Sequence, residues 1–297
     1  MNAPGADPPM AGRVVVVTGA TSGIGFVTAR ELARQGATIA ALGRDPERTK
    51  EAVAAIVAAT GNANVRGFLG DLFLQAEVRR VSSELLESYP ALHVLVNNAG
   101  AIFSHRGLTS EGIERTWALN VVTPFLLTSL LLPRLETSGP ARIVNVASAA
   151  HRGVRLPFEN LQGERGYAGY RAYGRSKLAL VLLTYEFARR LGGGRVSVNA
   201  LHPGFVATRF GRNNPGGIGA TTHLLSRLFG MSPERGARTS IYLASDPSVA
   251  GVSGKYFSRS HSVASSSASY DPAAGERLWD TLAILTGPPA GTARIPP

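Results

Sequence analysis

A tyrosine and a lysine four residues apart are the side chains of this sequence best suited to acid–base chemistry. Tyr173 and Lys177 stand in a stretch of helical periodicity, where an i, i+4 spacing places both on one face. A phenol has a pKa of about 10, so it exchanges protons poorly near pH 7. A neighbouring ammonium stabilises phenolate and is expected to lower that pKa. Such a tyrosine can donate a proton to a carbonyl oxygen as hydride reaches the carbon.

Two further polar residues are expected to join this pair. Ser148 ends the fifth predicted strand and could hydrogen-bond the same carbonyl oxygen. Asn120 lies in the predicted helix after the fourth strand and could hold a water that links Lys177 to solvent. Taken alone, each has a plainer interpretation, because serines cap turns and an asparagine can be a polar break in a helix.

A glycine-rich segment after the first predicted strand is suited to binding phosphate. Residues 18–25 read TGATSGIG, and glycines let a backbone turn sharply and approach a pyrophosphate at a helix N-terminus. The spacing is GxxxGxG and not the GxGxxG of the dinucleotide fingerprint, so a purely structural turn is the alternative. The residues expected to hold the cofactor here are Gly19, Thr21, Ser22, Gly23, Ile24 and Gly25.

The end of the second predicted strand carries a cation where an NAD-binding protein usually has an acid. Gly43 is expected to leave room there, and Arg44 could pair with a 2′-phosphate and stack on adenine. This favours NADP(H) over NAD(H). The alternative is a solvated Arg44, with Asp45 facing the ribose.

Two further strand ends could line the cofactor groove. Asp71 and Leu72 follow the third strand, where the carboxylate could meet the adenine amine. The fourth strand ends in NNAG, whose amides and small side chains suit a groove wall, although either element could be ordinary turn chemistry. The NNAG residues expected at the cofactor are Asn98, Ala99 and Gly100.

The elements that must position these residues alternate along the chain, and the pattern predicts an α/β fold. Strands rich in Val, Ile and Leu, separated by helices, indicate a doubly wound parallel sheet covered on both faces. We predict strands at 13–18, 38–42, 65–69, 93–97, 142–148, 196–201 and 254–257. We predict helices at 26–35, 46–59, 74–89, 112–135 with a kink at Pro124, 170–191 and 233–244, and a C-terminal helix around 271–285.

The chain shows no break that would divide it into two domains. We predict one catalytic domain at 11–286 with flexible ends at 1–10 and 287–297. Residues 205–231 follow the sixth strand and should overhang the site, because ligands in such sheets bind beyond the carboxyl ends of the strands. The serine-rich stretch 260–269 is expected to be mobile.

Composition excludes several classes of protein. The 297 residues include no cysteine, so disulfides, thiol nucleophiles and cysteine-ligated metals are excluded. The six histidines lack metal-ligand spacing, so no metal is expected, and no GxSxG elbow is present. Net charge is +11, but the basic residues form no long run, which favours a compositional bias towards arginine over nucleic-acid binding. The most apolar stretch, 121–132, is too short to span a membrane.

Taken together, these motifs resemble the short-chain dehydrogenase/reductase family over residues 11–258. TGATSGIG, Asp71 with Leu72, NNAG, Asn120, Ser148 and Tyr173 with Lys177 occur in that family's order. The resemblance implies a Rossmann-type fold, an NAD(P) cofactor and an Asn–Ser–Tyr–Lys tetrad. It also implies that Lys177 contacts the nicotinamide ribose. Pro203, Gly204, Val206 and Thr208 are implied to support the nicotinamide and its carboxamide.

A narrower resemblance is to the retinol-dehydrogenase-like group. It is carried by residues 142–151, 173–191, 199–210 and 234–258, and by a long gap between Ser148 and Tyr173. The insertion, 149–171, is placed to shape the substrate mouth. Unlike the membrane-bound retinol enzymes, the sequence shows no N-terminal anchor, so we expect a cytoplasmic protein. Unlike the protochlorophyllide reductases of the group, it has no active-site cysteine.

The resemblance implies an NADP(H)-dependent reductase of a lipophilic ketone or aldehyde, reversible to alcohol oxidation. An NAD-dependent alcohol dehydrogenase and a non-catalytic NADP-binding sensor or scaffold are the alternatives. Family members often pair through the tetrad helix, and the apolar stretch 178–191 would allow a homodimer or homotetramer. The helix around 271–285 would instead cover that surface.

Overall fold

Seven short apolar strands form the parallel part of an eight-stranded sheet in the computed structural model, which describes residues 8–205 and 231–287. The strands lie in the order β3-β2-β1-β4-β5-β6-β7-β8, and only the β7–β8 pair is antiparallel. They are β1 Val14–Thr18, β2 Thr38–Gly43, β3 Val65–Leu69, β4 Val94–Asn97, β5 Ala141–Val146, β6 Val196–His202, β7 Lys255–Ser258 and β8 His261–Ser262. The chain reverses direction across the sheet between β3 and β4, which opens a crevice beyond the carboxyl ends of β1 and β4.

Seven helices of the described chain cover the two faces of the sheet. They are α1 Gly23–Arg34, α2 Pro46–Thr60, α3 Gln75–Ser88, α4 Arg115–Thr137, α5 Gly169–Leu191, α6 Pro233–Ser245 and α7 Pro272–Thr286. Local chemistry sets their ends: Asp45 accepts a hydrogen bond from the Arg48 amide at the start of α2, and Gly61 ends it in the left-handed region. Most predicted boundaries agree with these to within a few residues.

Helix α4 contains a π-helical turn instead of the kink predicted at Pro124. A π-helical turn, Ala118–Val122, precedes the regular segment Thr123–Thr137, and Pro124 lies in its first turn. Because proline has no N–H, residue 124 cannot donate the usual i+4 hydrogen bond to the carbonyl of Asn120. The helix widens there without being broken.

Alternating strand residues send apolar side chains to opposite faces of the sheet. Val15 and Val17 pack with α1 and α6, whereas Val16 packs with α3, α4 and α5. This double-sided core confirms the predicted doubly wound sheet. Among the described residues, one helix, Arg115–Thr137, has the length and the apolar composition needed to cross a membrane. However, 83% of its most apolar part is buried inside the protein.

The structure contradicts the mobility predicted for the serine-rich stretch 260–269. Ser265 and Ser269 are buried, and their hydroxyls lie 2.6 Å apart. The Ser265 hydroxyl also lies 2.7 Å from the phenol oxygen of Tyr185 on α5. Serines are compatible with a packed surface here because each of these buried hydroxyls has a partner.

Candidate active site

The glycine-rich turn joins β1 to α1 at the carboxyl edge of the sheet. Gly19 and Gly23 have φ of 67° and 57°, a region that favours glycine. A Cβ on Gly25 would lie 2.4 Å from both the Gly19 carbonyl oxygen and the Asn98 amide nitrogen. The Ser22 side chain makes no capping hydrogen bond, so it does not occupy the first N–H groups of α1. The turn therefore fits a pyrophosphate.

Asn98 fastens the end of β4 to this turn. Its side-chain amide donates to the Thr18 carbonyl at 2.8 Å, and its backbone N–H donates to the Thr18 hydroxyl at 2.9 Å. The Ala99 N–H donates to the same hydroxyl at 2.9 Å. Thr18 thus holds the two sides of the crevice together, so Asn98 and Ala99 line a wall whose width is set by hydrogen bonds.

Asp45 and Arg44, the two residues that could contact the adenine ribose, have different surroundings at the end of β2. The Asp45 carboxylate accepts from the Arg48 N–H at 2.9 Å as the cap of α2. The Arg44 side chain is 62% exposed, 4.0 Å from the Asp71 carboxylate, and its guanidinium lies 5.8 Å from the ring centre of Phe73. Arg44 is therefore available to an anionic group, whereas Asp45 already serves the helix.

Gly43 does not leave open space for a ligand, contrary to the prediction. A Cβ there would lie 2.1 Å from the hydroxyl oxygen of Thr49 and 2.6 Å from the Thr21 methyl group. Glycine is required because α2 and the phosphate turn pack against the end of β2. Nearby, Leu72 is buried, and its carbonyl accepts a hydrogen bond from the Thr123 hydroxyl.

Tyr173 and Lys177 share one face of α5, as predicted. The Lys177 ammonium is buried, donates to the Val146 carbonyl at 2.9 Å and lies 5.7 Å from the centre of the Tyr173 ring. Burial lowers the pKa of Lys177 to about 8. Burial raises the pKa of Tyr173 to about 12, and a hydrogen bond with the Ser148 side chain opposes that increase. The expected lowering of the Tyr173 pKa is thus wrong for this structure, because desolvation of the phenol outweighs its hydrogen bond with Ser148.

Ser148 and Asn120 reach the pair from two other elements. Ser148 begins a short 3₁₀ turn, Ala149–His151, and its hydroxyl accepts from the Ala150 N–H at 3.2 Å. The Asn120 side chain is completely buried: it exchanges two 2.9 Å hydrogen bonds with the backbone of Ala101 and donates to the Ser176 hydroxyl. Its amide is therefore committed to protein groups, so the predicted water role would fall to its backbone carbonyl, which Pro124 leaves without the regular donor.

Gly100 links these residues to the cofactor crevice. A Cβ added there would lie 3.2 Å from the Asn120 amide oxygen and 3.3 Å from the Lys177 ammonium nitrogen. The structure therefore brings Gly100, Asn120 and Lys177 together below the crevice. Gly204 has φ of 90°, and its missing Cβ would overlap the Met231 side chain. Val206 and Thr208, as well as most of the predicted overhanging loop, lie outside the described residues.

The insertion after Ser148 is anchored by a second tyrosine. The Tyr167 hydroxyl donates to the Phe103 carbonyl at 3.1 Å and lies 3.1 Å from the buried Glu114 carboxylate. Glu114 also accepts from the Thr116 and Trp117 amides at the start of α4. Gly169 lies so close to the Phe103 carbonyl that a Cβ would be 2.2 Å from its oxygen. The insertion therefore packs over residues 101–117 as one wall of the mouth.

Two histidines beside Ser148 have partners that their position in the sequence does not reveal. His151 is completely buried. His202 accepts at Nδ1 from the Ala149 N–H at 3.2 Å. The one feature of the sequence that points to both histidines is their closeness to predicted site residues. His151 lies three residues after Ser148, and His202 lies just before Pro203. No group of three or more potential metal ligands occurs among the residues that the structure describes.

Comparison with known proteins gives one family over most of the chain. The model of the short chain dehydrogenase family matches residues 13–216. Retinol dehydrogenase 14 of Mus musculus is 40% identical over an alignment of 296 residues that covers 95% of this chain and 89% of that protein. Retinol dehydrogenase 13 of Homo sapiens is 39% identical over 96% of this chain and 88% of its own.

Solved structures share the architecture as well. A putative uncharacterized protein from Mycobacterium Paratuberculosis matches with a TM-score of 0.75 and 33% identity, covering 94% of this chain and 96% of that one. The Pseudomonas aeruginosa RhlG/NADP active-site complex matches with a TM-score of 0.68 and 29% identity, covering 85% and 96% of the two chains. The chain is therefore similar to nicotinamide-cofactor oxidoreductases in both sequence and fold.

Proposed function

This chain belongs to the short-chain dehydrogenase/reductase family, and from that premise we propose that it reduces apolar ketones and aldehydes with NADPH. The observation that carries the proposal is the setting of Tyr173. Its phenol is hydrogen-bonded to Ser148, the Lys177 ammonium lies beside its ring, and burial keeps its pKa high. A phenol that is fully protonated near neutral pH is the donor that a developing alkoxide requires.

The proposed mechanism assigns each residue one task. When bound, the nicotinamide supplies the hydride. Ser148 and Tyr173 hydrogen-bond the carbonyl oxygen of the substrate, and Tyr173 gives it a proton. Lys177 keeps a positive charge next to the phenolate that remains, which limits the energetic cost of losing that proton. Asn120 holds Ala101 and Ser176 so that α4 and α5 keep their spacing below the reacting groups.

A preference for NADPH is supported by the different environments of Arg44 and Asp45 at the end of β2. One carboxylate oxygen of Asp45 accepts the Arg48 N–H as the cap of α2, which holds that side chain at the start of the helix. Arg44 is exposed at the same strand end, and a guanidinium pairs well with a 2′-phosphate. One of the similar solved structures, from Pseudomonas aeruginosa, is a complex with NADP.

An apolar substrate is supported by exposed apolar side chains that lie close in the sequence to Tyr173 and Gly204. Tyr170 is 72% exposed one helical turn before Tyr173, and Phe205 is 62% exposed just after Gly204. Retinol, after which the two mammalian relatives are named, is a mainly apolar alcohol, the class of product that such a reduction forms. The cytoplasmic location expected from the sequence stays a prediction.

The cofactor proposal is tested by equilibrium binding of NADPH and NADH, followed by protein fluorescence. The wild type should prefer NADPH by tenfold or more, about 1.4 kcal/mol. Arg44→Ala should abolish that preference, whereas Lys50→Ala, which removes an exposed positive charge from α2, should preserve it. A preference for NADH in the wild type would overturn the proposal and favour alcohol oxidation. If the protein binds neither NADPH nor NADH, the proposal that it is a nicotinamide-dependent reductase is wrong.

A further inference from the structure

Both polar groups of the peptide bond that follows Ser148 are hydrogen-bonded to histidine rings. The Ser148 carbonyl lies 2.6 Å from Nδ1 of His151, on the same 3₁₀ turn. The Ala149 N–H, on the other side of that peptide bond, donates to Nδ1 of His202 at the end of β6 at 3.2 Å. The backbone that carries the Ser148 hydroxyl is thus held from both sides.

The second ring nitrogen of His151 decides its tautomer. Nε2 accepts a hydrogen bond from the Ser266 N–H at 3.0 Å, and a backbone amide can only donate. Nε2 must therefore be unprotonated, so in the neutral ring the proton is on Nδ1, which donates it to the Ser148 carbonyl. By the same argument, Nδ1 of His202 is unprotonated, because it accepts from Ala149. The neutral forms are Nδ1–H for His151 and Nε2–H for His202.

The surroundings favour these neutral forms. Burial is the largest cause that lowers the pKa of each histidine. The hydrogen bond to the Ser148 carbonyl opposes this for His151, and Arg152 lowers the pKa of both rings further. His151 and Arg259 also lower the pKa of His202. The His151 ring also packs against the Tyr256 ring, with the two ring centres 4.8 Å apart. No carboxylate of the described chain is among the groups that shift either ring.

The turn is further tied to the loop after β8. The Arg152 guanidinium donates to the Ala264 carbonyl at 2.5 Å, beside the hydrogen bond from Ser266 to His151. A shift of the turn would therefore break contacts with both β6 and that loop. These contacts also restrict the Ser148 hydroxyl, because the Cα that carries this side chain belongs to the Ser148–Ala149 peptide unit.

We propose that His151 and His202 are positioning residues, whose neutral rings clamp the Ser148–Ala149 peptide and thereby hold the Ser148 hydroxyl at Tyr173. This role in reduction rests on the proposed function, whereas the clamp itself does not. Protonation of either ring would replace an acceptor by a donor opposite a backbone N–H. The serine should then lose its position as the pH falls.

The clamp is tested without any substrate by ¹⁵N NMR of the imidazoles at pH 7. His151→Asn and His202→Asn assign the two signals by their disappearance. The expected spectrum has neutral rings with the proton on Nδ1 in His151 and on Nε2 in His202. A charged ring, or the opposite tautomer in either residue, would overturn the clamp whatever the protein does with a carbonyl.

The positioning role is tested by kcat for carbonyl reduction between pH 5 and 8, together with the Kd for NADPH. His202→Leu removes the acceptor and should lower kcat at least tenfold with the Kd changed less than about twofold. His202→Asn keeps an acceptor that does not titrate, so it should retain most of kcat and lose much of the fall in acid that the wild type shows. An unchanged kcat in folded His202→Leu, or an acid profile that neither His202→Asn nor His151→Asn changes, would overturn the role.

His93 is a matched control. Its Nδ1 also accepts a backbone N–H, from Val14 at 3.1 Å, and burial lowers its pKa, but it lies just before β4, at the opposite edge of the sheet. His93→Asn should leave kcat and its acid profile unchanged. If the wild type reduces no carbonyl while both tautomers are as expected, the proposed function fails and the clamp stands. If reduction occurs with a reversed tautomer, the clamp fails and the function stands.

Discussion

At the scale of single residues, burial determines the protonation states at this site. The Tyr173 phenol and the Lys177 ammonium are both removed from water, which raises the pKa of the acid and lowers that of the base. Each shift disfavours a charged form. The site is therefore poised with a protonated phenol, and the ammonium is most useful once the phenol has given up its proton.

Replacing Tyr173 by Phe should remove the proton donor and little else. We expect kcat for reduction to fall by about 10²–10⁴-fold, the usual contribution of a positioned acid. The Kd for NADPH should stay within a few-fold, because the phosphate turn and Arg44 are untouched. Stopped-flow measurement of NADPH consumption, paired with fluorescence binding, checks both. A variant that reduces carbonyls at the wild-type rate would assign the proton to another group.

The pH dependence of kcat for reduction should show the loss of the proton from the Lys177 ammonium. Its pKa is lowered to about 8, so the charge that stabilises phenolate is present below that pH and is lost above it. The kcat for reduction should therefore fall as the pH rises through about 8, while Tyr173, with its pKa near 12, remains protonated. A profile of kcat from pH 6 to 10 measures this. A rate that rises with pH over that range would contradict the assignment.

At the scale of elements, close packing of turns against one another shapes the cofactor crevice. The phosphate turn, the end of β4 and the start of α2 meet where side chains would not fit, as Gly25 and Gly43 show. Hydrogen bonds from Asn98 to Thr18 then fix the spacing of β1 and β4. The crevice is thus formed by backbone, which suits a ligand that binds through phosphates.

Gly25→Ala should damage both the turn and cofactor binding. The new methyl group would lie 2.4 Å from the Gly19 carbonyl oxygen, so the turn or α1 must move, at a cost of roughly 1–3 kcal/mol in the free energy of unfolding. NADPH affinity should drop at least tenfold. Chemical denaturation and fluorescence titration measure the two effects.

Gly275→Ala is the control for that substitution. This glycine lies inside α7, and its added Cβ would come no closer than 3.7 Å to the Glu186 side chain. Alanine should stabilise the helix by about 0.5–1 kcal/mol and leave the Kd for NADPH unchanged. Equal loss of NADPH affinity in the two variants would show that the effect is not specific to the phosphate turn.

At the scale of the whole molecule, α7 covers the face formed by α4 and α5. Trp279 packs edge-on against Phe125 of α4 and Phe187 of α5, with ring centres 5.0 and 4.7 Å apart. The Arg190 guanidinium lies 4.3 Å from the centre of the Trp279 ring, and Leu278 and Leu282 are completely buried. The apolar side of α5 that could have paired two subunits is thus occupied by the chain's own last helix.

We therefore expect a monomer, to be measured by light scattering coupled to size exclusion. Trp279→Ala should cost about 3–5 kcal/mol in the free energy of unfolding and loosen α7, so that Phe125 and Phe187 become exposed and the protein associates. Ile284→Ala alters a side chain on the same helix that is 85% exposed, and should change neither stability nor mass. A wild-type dimer that survives dilution would contradict the prediction.

The sequence by itself determined the order of the elements, the phosphate turn and the Tyr173–Lys177 pair. These depend on local patterns: continuous apolar runs of strand length, helices of period 3.6, and glycines at a strand–helix junction. A shared face at i, i+4 follows from helix geometry alone. The motifs could therefore be placed without knowing what packs around them.

Tertiary structure decided the features that depend on partners distant in the chain. The Tyr173 pKa is raised because the phenol is buried, and sequence spacing, which predicted the opposite, contains no information on burial. Gly43 excludes a side chain because Thr21 of the phosphate turn also packs on it, and Ser265 is ordered by Tyr185, which lies 80 residues earlier. His151 and His202, 51 positions apart, meet at a single peptide bond. Desolvation and hydrogen-bond partners arise only when separate segments come together, because the energy of each group depends on all the atoms around it.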